Sequence, residues 1–276
     1  MADPHPVTGQ LFESPVSPGA GWPEDPATVR TPVARSRDDV ARLSAAAPTA
    51  CDAVISVCRA CPRLVAWREE VARTGRRASF AHEPYWGRPA PSTGDPDAPI
   101  LIVGLAPAAN GANRTGRMFT GDRSGDWLWS ALHRAGMARR ECSTATGDGQ
   151  ALLTARMGAT VRCAPPANKP TAEERSTCSA YLVREIELMK NLKVFLALGG
   201  IAWNATLSAV KAAGWRVPRP KPRFGHGAEA TVASHDGRDV TLLGCYHPSQ
   251  QNTFTGRLTR SMLDDVLAEA RRLAAG

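Results

Sequence analysis

The sequence predicts an α/β protein, with helices packed on both faces of a mainly parallel sheet. Short apolar runs are the first sign: Ile100–Gly104 (ILIVG), Val194–Leu198 (VFLAL) and Val240–Leu243 read as buried strands. Segments with helical start and stop signals lie between them. Strands alternating with helices bury both sheet faces and give an α/β/α sandwich of three layers. The placement of two polar loops is the third sign. Each follows a strand directly, and sheets of this kind bind ligands at the carboxyl ends of their strands.

In chain order, residues 1–50 hold eight of the 22 prolines and show little periodicity. Repeated proline removes backbone donors and blocks helix and sheet. Residues 1–40 are therefore expected to be a disordered tail, dispensable for activity, with a single domain over 41–276. After Ile100–Gly104 comes a Gly- and Asn-rich loop reaching about Arg123, then a helix over Ser124–Leu132 that stops near Gly136. Thr171 with Glu174 three residues on forms a capping box, opening a helix to about Lys190. Val194–Leu198 leads into a helix ending near Gly214, and Leu258–Leu273 reads as a terminal helix.

Composition narrows the class. No run approaches 18 uninterrupted apolar residues, so no membrane-spanning helix is expected. No apolar segment follows a basic start, so no secretory signal is expected either, and the reading is cytoplasmic. The net charge is +8 and the pI about 9.4. Residues 1–50 carry six acids and four arginines, which leaves the remainder at +10. A basic body suits a polyanion, because lysine and arginine displace counterions condensed on phosphate.

Seven cysteines, at 51, 58, 61, 142, 163, 178 and 245, make an odd count and argue against a disulfide framework. Cys58-Arg-Ala-Cys61 is a CxxC, and Cys163 and Cys178 flank a proline-rich stretch. Four thiolates could complete a zinc site or hold a [4Fe–4S] cluster; spacing alone leaves both open, together with chance.

The first polar loop, Gly104–Asp122 (GLAPAANGANRTGRMFTGD), offers glycines that permit close backbone approach to a ligand, but it is neither a Walker loop nor a GxGxxG fingerprint. The second opens with Tyr246-His247-Pro248-Ser249 and runs through Asn252 to Arg257. Together the loops resemble the uracil-DNA glycosylase superfamily, and specifically its family 5, the iron–sulfur branch. The resemblance covers roughly residues 51–274. It implies a four-stranded central sheet and a monomeric, nucleoid-associated enzyme that hydrolyses the bond between uracil, or other deaminated or damaged bases, and the sugar of double- or single-stranded DNA. It further implies that Cys58, Cys61, Cys163 and Cys178 hold a [4Fe–4S] cluster, that Phe119 stacks on the flipped base, that Asn168 reads the uracil edge and that His247 lies near uracil O2. Ser249 and the residues after it, including Asn252, match the loop that enters the duplex. Gly104, Ala106 and Ala108 fall in the matched first loop. Many members of the superfamily carry Asp or Asn where this chain has Ala106, as family 5 does. Asn110 and Asn113 are the next polar candidates for positioning water, while Asp122 and Asp126 are read as structural. Arg114, Arg117, Arg123, Lys169 and Arg257 are the candidate phosphate contacts. The alternative is a noncatalytic zinc-bound nucleic-acid-binding module.

Overall fold

The computed structural model describes residues 2–45 and 48–276. Among them, β1 (Asp3–Pro4) and β2 (Leu11–Phe12) form a short hairpin, followed by α1 (Arg37–Ser44), α2 (Pro48–Val57) and α3 (Pro62–Arg73). Then come β3 (Ile100–Gly104), α4 (Ala112–Thr115), α5 (Arg123–Arg134), β4 (Ala155–Ala159), α6 (Ala172–Leu188), β5 (Val194–Leu198) and α7 (Gly200–Ala212). The chain closes with β6 (Glu229–Ala233), β7 (Asp239–Cys245), α8 (Gln250–Phe254) and α9 (Arg260–Ala275).

The main sheet runs β4-β3-β5-β7-β6. Its first four strands are parallel, and β6 joins the edge antiparallel to β7. The expected four strands thus become five. The extra strand, EATVA, has no continuous apolar run because one of its faces is solvated, as an edge strand's commonly is.

Alternation along the strands divides the interior into two cores. Ile100 and Ile102, with Leu196 and Leu243, pack under α5 and α9. Leu101 and Val103, with Phe195 and Leu242, pack under α6 and α7. Side chains of a strand point alternately to opposite faces, so a fully apolar strand needs a helical layer on each side. Helix ends are capped as their sequences dictate. Asp122 accepts from the Gly125 amide at 2.9 Å, and Thr171 and Glu174 form the reciprocal capping box.

The disordered tail expected at residues 1–40 is not what the structure holds. Phe12, Val16 and Trp22 are buried together against Trp86. The Trp22 ring lies 5.0 Å from that of Phe12 and 4.6 Å from His5. Three acidic residues of this segment meet arginines of the body. Asp25 takes a two-pronged contact from Arg88 at 3.0 and 2.6 Å, Glu24 pairs with Arg117 at 2.6 Å, and Asp3 pairs with Arg76 at 2.6 Å. Proline does exclude regular structure here, as the sequence says. It does not prevent an irregular strap from burying aromatics and supplying counter-charge. The −2 and +10 halves are thus in part the two sides of internal ion pairs.

A second network ties α6 to β4. Glu185, fully buried, is bonded by Arg162, Ser92 and Arg156, and Arg156 also holds Asp52 of α2 at 2.7 Å. Burial pushes the Glu185 carboxyl up, but Arg162 and Arg156 outweigh it and hold it below its ordinary value. Losing one partner would leave an uncompensated buried charge.

Deleting residues 2–35 is therefore expected to destabilise the whole protein, and Trp22→Ala alone to cost about 3–5 kcal/mol in denaturant unfolding. A deletion variant that unfolds at the parent's midpoint would mean that the strap carries no stability.

Candidate active site

The first loop leaves β3 at Gly104 and returns into α5, folding over the carboxyl edge of the sheet. A cavity of about 300 Å³ opens there, lined by Ala106, Ala108, Phe119, Asp122, Asn168 and His247, among others. Three loops meet at it: the first polar loop, the turn carrying Asn168, and the loop after β7.

Phe119 is held in an unusual backbone state, with φ at 52°. For a residue other than glycine this costs on the order of 1–3 kcal/mol, which the surroundings must supply. Trp129 Nε1 donates to the Phe119 carbonyl at 2.8 Å. A Cβ at Gly125 would sit 1.9 Å from that carbonyl, so only glycine admits the bond. Beneath the ring, a Cβ at Gly104 would come within 2.9 Å of it. Gly104 is therefore a floor for the aromatic rather than a ligand-facing residue.

The His247 ring faces Phe119, with centroids 5.7 Å apart and planes 35° from parallel. The His247 carbonyl accepts from the Ser249 amide at 2.7 Å and from Asn252 Nδ2 at 2.8 Å, which fixes the turn. Asn252 thus acts behind the histidine. Burial lowers the imidazole to about 4, so the ring is neutral near pH 7 and its N–H can donate. Asn168 sits on the exposed rim, following Ala167, both with positive φ (56° and 51°). Its side-chain amide has no hydrogen bond within the described residues.

The two asparagines expected to position water are elsewhere. Asn113 is buried and donates to the carbonyls of Arg68 and Ala109 at 3.2 and 3.4 Å, tying the loop down to α3. Asn110 Oδ1 accepts from Tyr85 at 2.8 Å and does not line the cavity. The carboxylate in the lining is Asp122, raised by burial against the pull of the Gly125 and Ser124 amides. Expected from sequence to be structural, it does cap α5, yet it also faces the cavity. Its place as the last polar residue before a helix shows only the cap.

Two of the candidate phosphate contacts are likewise spent. Arg114 and Arg117 are buried, the first on Glu83 and on the Gly121 carbonyl, the second between Glu24 and Asp148. Arg123, Lys169 and Arg257 are exposed. Beside them Phe254 is 67% exposed, with the Arg123 guanidinium 5.2 Å from its ring centre.

Cys58, Cys61, Cys163 and Cys178 surround one small cavity next to this site, together with Arg68 and Tyr181. Cys61, Cys178 and Ala106 of the first loop all pack against the small core of Leu64, Val161 and Cys163. Arg68 is buried, with Nη1 2.8 Å from Cys163 Sγ and Nη2 3.0 Å from the Cys58 carbonyl. It has no carboxylate partner among the described residues. The Tyr181 hydroxyl is buried there without a hydrogen bond. Burial pushes the Cys61 thiol up to about 12 and raises Cys163 and Cys178 as well. Among the described residues, no three His, Cys, Asp or Glu side chains close tightly enough to hold a single metal ion.

The profile of the uracil DNA glycosylase superfamily matches residues 91–271, and the chain belongs to that family. It is 56% identical over 273 residues, 98% of each chain, to proteins named type-5 uracil-DNA glycosylase from Mycobacterium bovis and Mycobacterium tuberculosis. Those matches take in the N-terminal strap. A Thermus thermophilus protein of the same name is 49% identical over 220 residues, covering 80% of this chain and 95% of its own length.

The His247 value gives a pH test. Its folded value lies below the ordinary 6.5, so the unfolded chain takes up this proton first. The contribution of His247 to stability is full above 6.5 and is lost as pH falls from there towards about 4. The ring carbon resonance of His247 should titrate near pH 4 by NMR; a midpoint above about 6 would mean a hydrated ring.

Proposed function

We infer that the protein is a uracil-DNA glycosylase that flips uracil out of DNA into the pocket between Phe119 and His247 and hydrolyses its bond to the sugar. The observation that carries this reading is the facing pair itself: an aromatic with a strained backbone opposite a desolvated, neutral histidine, in a cavity of base size. The anomeric carbon is shielded within a duplex, so the nucleotide must leave the stack, at a cost of a few kcal/mol. Stacking on Phe119 returns about 1–3 kcal/mol of that. The exposed Phe254 is suited to wedge into the space left behind.

As the glycosidic bond breaks, negative charge gathers on the base and positive charge on the sugar. The His247 N–H and the backbone amides of Leu105, Ala106 and Ala108 can donate to the base oxygen, so no strong acid is needed. The Asn168 amide both donates and accepts, which suits the O4 and N3–H of uracil and mismatches cytosine. Asp122 is the group available to orient water and to offset the sugar's charge. A noncatalytic binding module leaves the Phe119–His247 pair without a use.

His247→Ala should slow single-turnover uracil release by about 100-fold or more, with DNA affinity nearly unchanged, because phosphate contacts dominate binding. Asp122→Asn, which keeps the helix cap, should slow release while leaving the melting temperature within a few degrees of the parent. Near-normal cleavage by His247→Ala would remove that residue from the mechanism.

We read the four cysteines as ligands of a [4Fe–4S] cluster. The fit rests on Arg68, whose buried charge lacks a carboxylate and would be balanced by ligating thiolates. The Tyr181 hydroxyl gives the same site a further donor. A cubane spreads its ligands wider than one ion does, which suits four thiols that surround a cavity without closing on a point. The cluster would supply structural cross-linking here, joining α3, the β4 exit and α6, and no step of the reaction passes through it. Protein purified without air should be brown and hold about four irons per chain. Cys163→Ser should lose both, while Cys142→Ser keeps them. A colourless protein with one zinc would contradict the cluster.

A further inference from the structure

We propose that a basic track along α7, outside the base pocket, holds the phosphate backbone of the DNA that flanks the lesion. The sequence isolates it first. Residues 188–228 contain no Asp or Glu but carry Lys190, Lys193, Lys211, Arg216, Arg219, Lys221 and Arg223, which leaves the rest of the chain at only +1. Nearly all the net charge of the protein therefore sits in one stretch.

The structure gives that charge a shape. All seven side chains are exposed, and none has an acidic partner among the described residues. Lys211, Arg216, Arg219 and Lys221 line a groove of about 620 Å³ beside the end of α7. Prolines at 218, 220 and 222 stiffen its far wall, so the cations need little ordering to act together. At Ser208 this groove meets a second one, of about 470 Å³, between α6 and α7. The second groove is walled by hydroxyl and amide groups, including Ser176, Ser179 and Asn204, and carries Arg175. It ends at Thr160, whose Oγ1 bonds the Gly104 carbonyl at 3.1 Å, directly beneath Phe119. A path lined by cations, hydroxyls and amides thus runs from the floor of the base pocket along the length of α7. Thirteen residues of helix measure about 20 Å, or roughly six base pairs of duplex.

The partner follows from what the pocket lacks. Arg114 and Arg117, two of the five cations the sequence offers as phosphate contacts, are buried in ion pairs and cannot reach phosphate. Arg123, Lys169 and Arg257 stay exposed on the pocket's loops, three cations against the seven of residues 188–228. A polyanion long enough to cross the pocket and continue past its edge meets these seven at and beyond the end of α7. The same substrate duplex meets that description, and the inference rests on the reading of DNA as substrate.

The test compares uracil duplexes of about 10 and about 30 base pairs, spanning roughly 34 and 100 Å. The variant combines Lys211→Gln, Arg216→Gln, Arg219→Gln and Lys221→Gln, all at exposed positions. Its melting temperature, and its single-turnover rate on the short duplex at saturation, should match the parent's; loss of that rate in the parent itself would count against the enzyme reading instead. On the long duplex, binding should weaken by about tenfold or more, and the log–log salt slope should fall by about one unit for each phosphate no longer neutralised. Restoring Lys or Arg in exchanged order at the four positions should recover both. Equal weakening on the two lengths, or no weakening on either, overturns the proposal. So does a parent that gains nothing from length yet binds an undamaged duplex alongside a short substrate, since the track would then serve a separate molecule.

Discussion

Arg68 carries its charge into the interior with no acid to meet it among the described residues. One arm reaches Cys163 Sγ and another the Cys58 carbonyl, while its own backbone carbonyl receives the Asn113 amide from the first polar loop. One residue of α3 thus connects the cysteine site to the first polar loop, which lines the base pocket. A buried guanidinium tolerates little displacement, because any shift leaves charge unsolvated. The loop above it inherits that rigidity. Arg114 bonds the carbonyls of Asn110 and Gly121 across the loop, and Arg117 clamps it against Asp148 and the N-terminal strap. The strained Phe119 can persist only on such a support.

This inward use of arginine explains the protein's distribution of charge. Arg114 and Arg117, close to the chemistry, are structural and neutralised, so they add little field inside the pocket, while Arg123, Lys169 and Arg257 stay exposed outside it. That suits a leaving group that departs as an anion stabilised by short-range donors. Seven more exposed cations lie in residues 188–228, around α7, where they can attract a long polyanion without disturbing the pocket. The separation lets affinity and chemistry vary independently.

Much of this is legible in the sequence. The runs at Ile100, Val194 and Val240 mark the parallel core strands, because strands buried on both faces leave unbroken apolar stretches. Thr171 and Glu174 mark a helix start through a local, self-contained hydrogen-bond pattern. Phe119, Asn168 and His247 can be named through their loops' resemblance to a family, and they line one cavity. What escapes depends on contacts distant in sequence. The N-terminal strap has no period to detect, and Trp22 is buried only because Trp86 meets it. Asn113 and Asp122 exchange roles because loop closure, not residue type, decides which polar group faces inward. Arg117 has the residue type and loop position of a phosphate contact, but Glu24, 93 residues earlier, lies against it. The edge strand at Glu229 lacks an apolar run because one of its faces is solvated.

Arg68 anchors the first polar loop, and with it the base pocket, to the cysteine site. Hydrogen–deuterium exchange across residues 105–122, comparing Arg68→Gln with the parent, tests that anchoring most directly. Exchange should be faster throughout that loop, strongest at 109–114, where Asn113 bonds the Arg68 carbonyl of α3. Exchange that rises only around residues 58–64, with the loop as protected as in the parent, would contradict it.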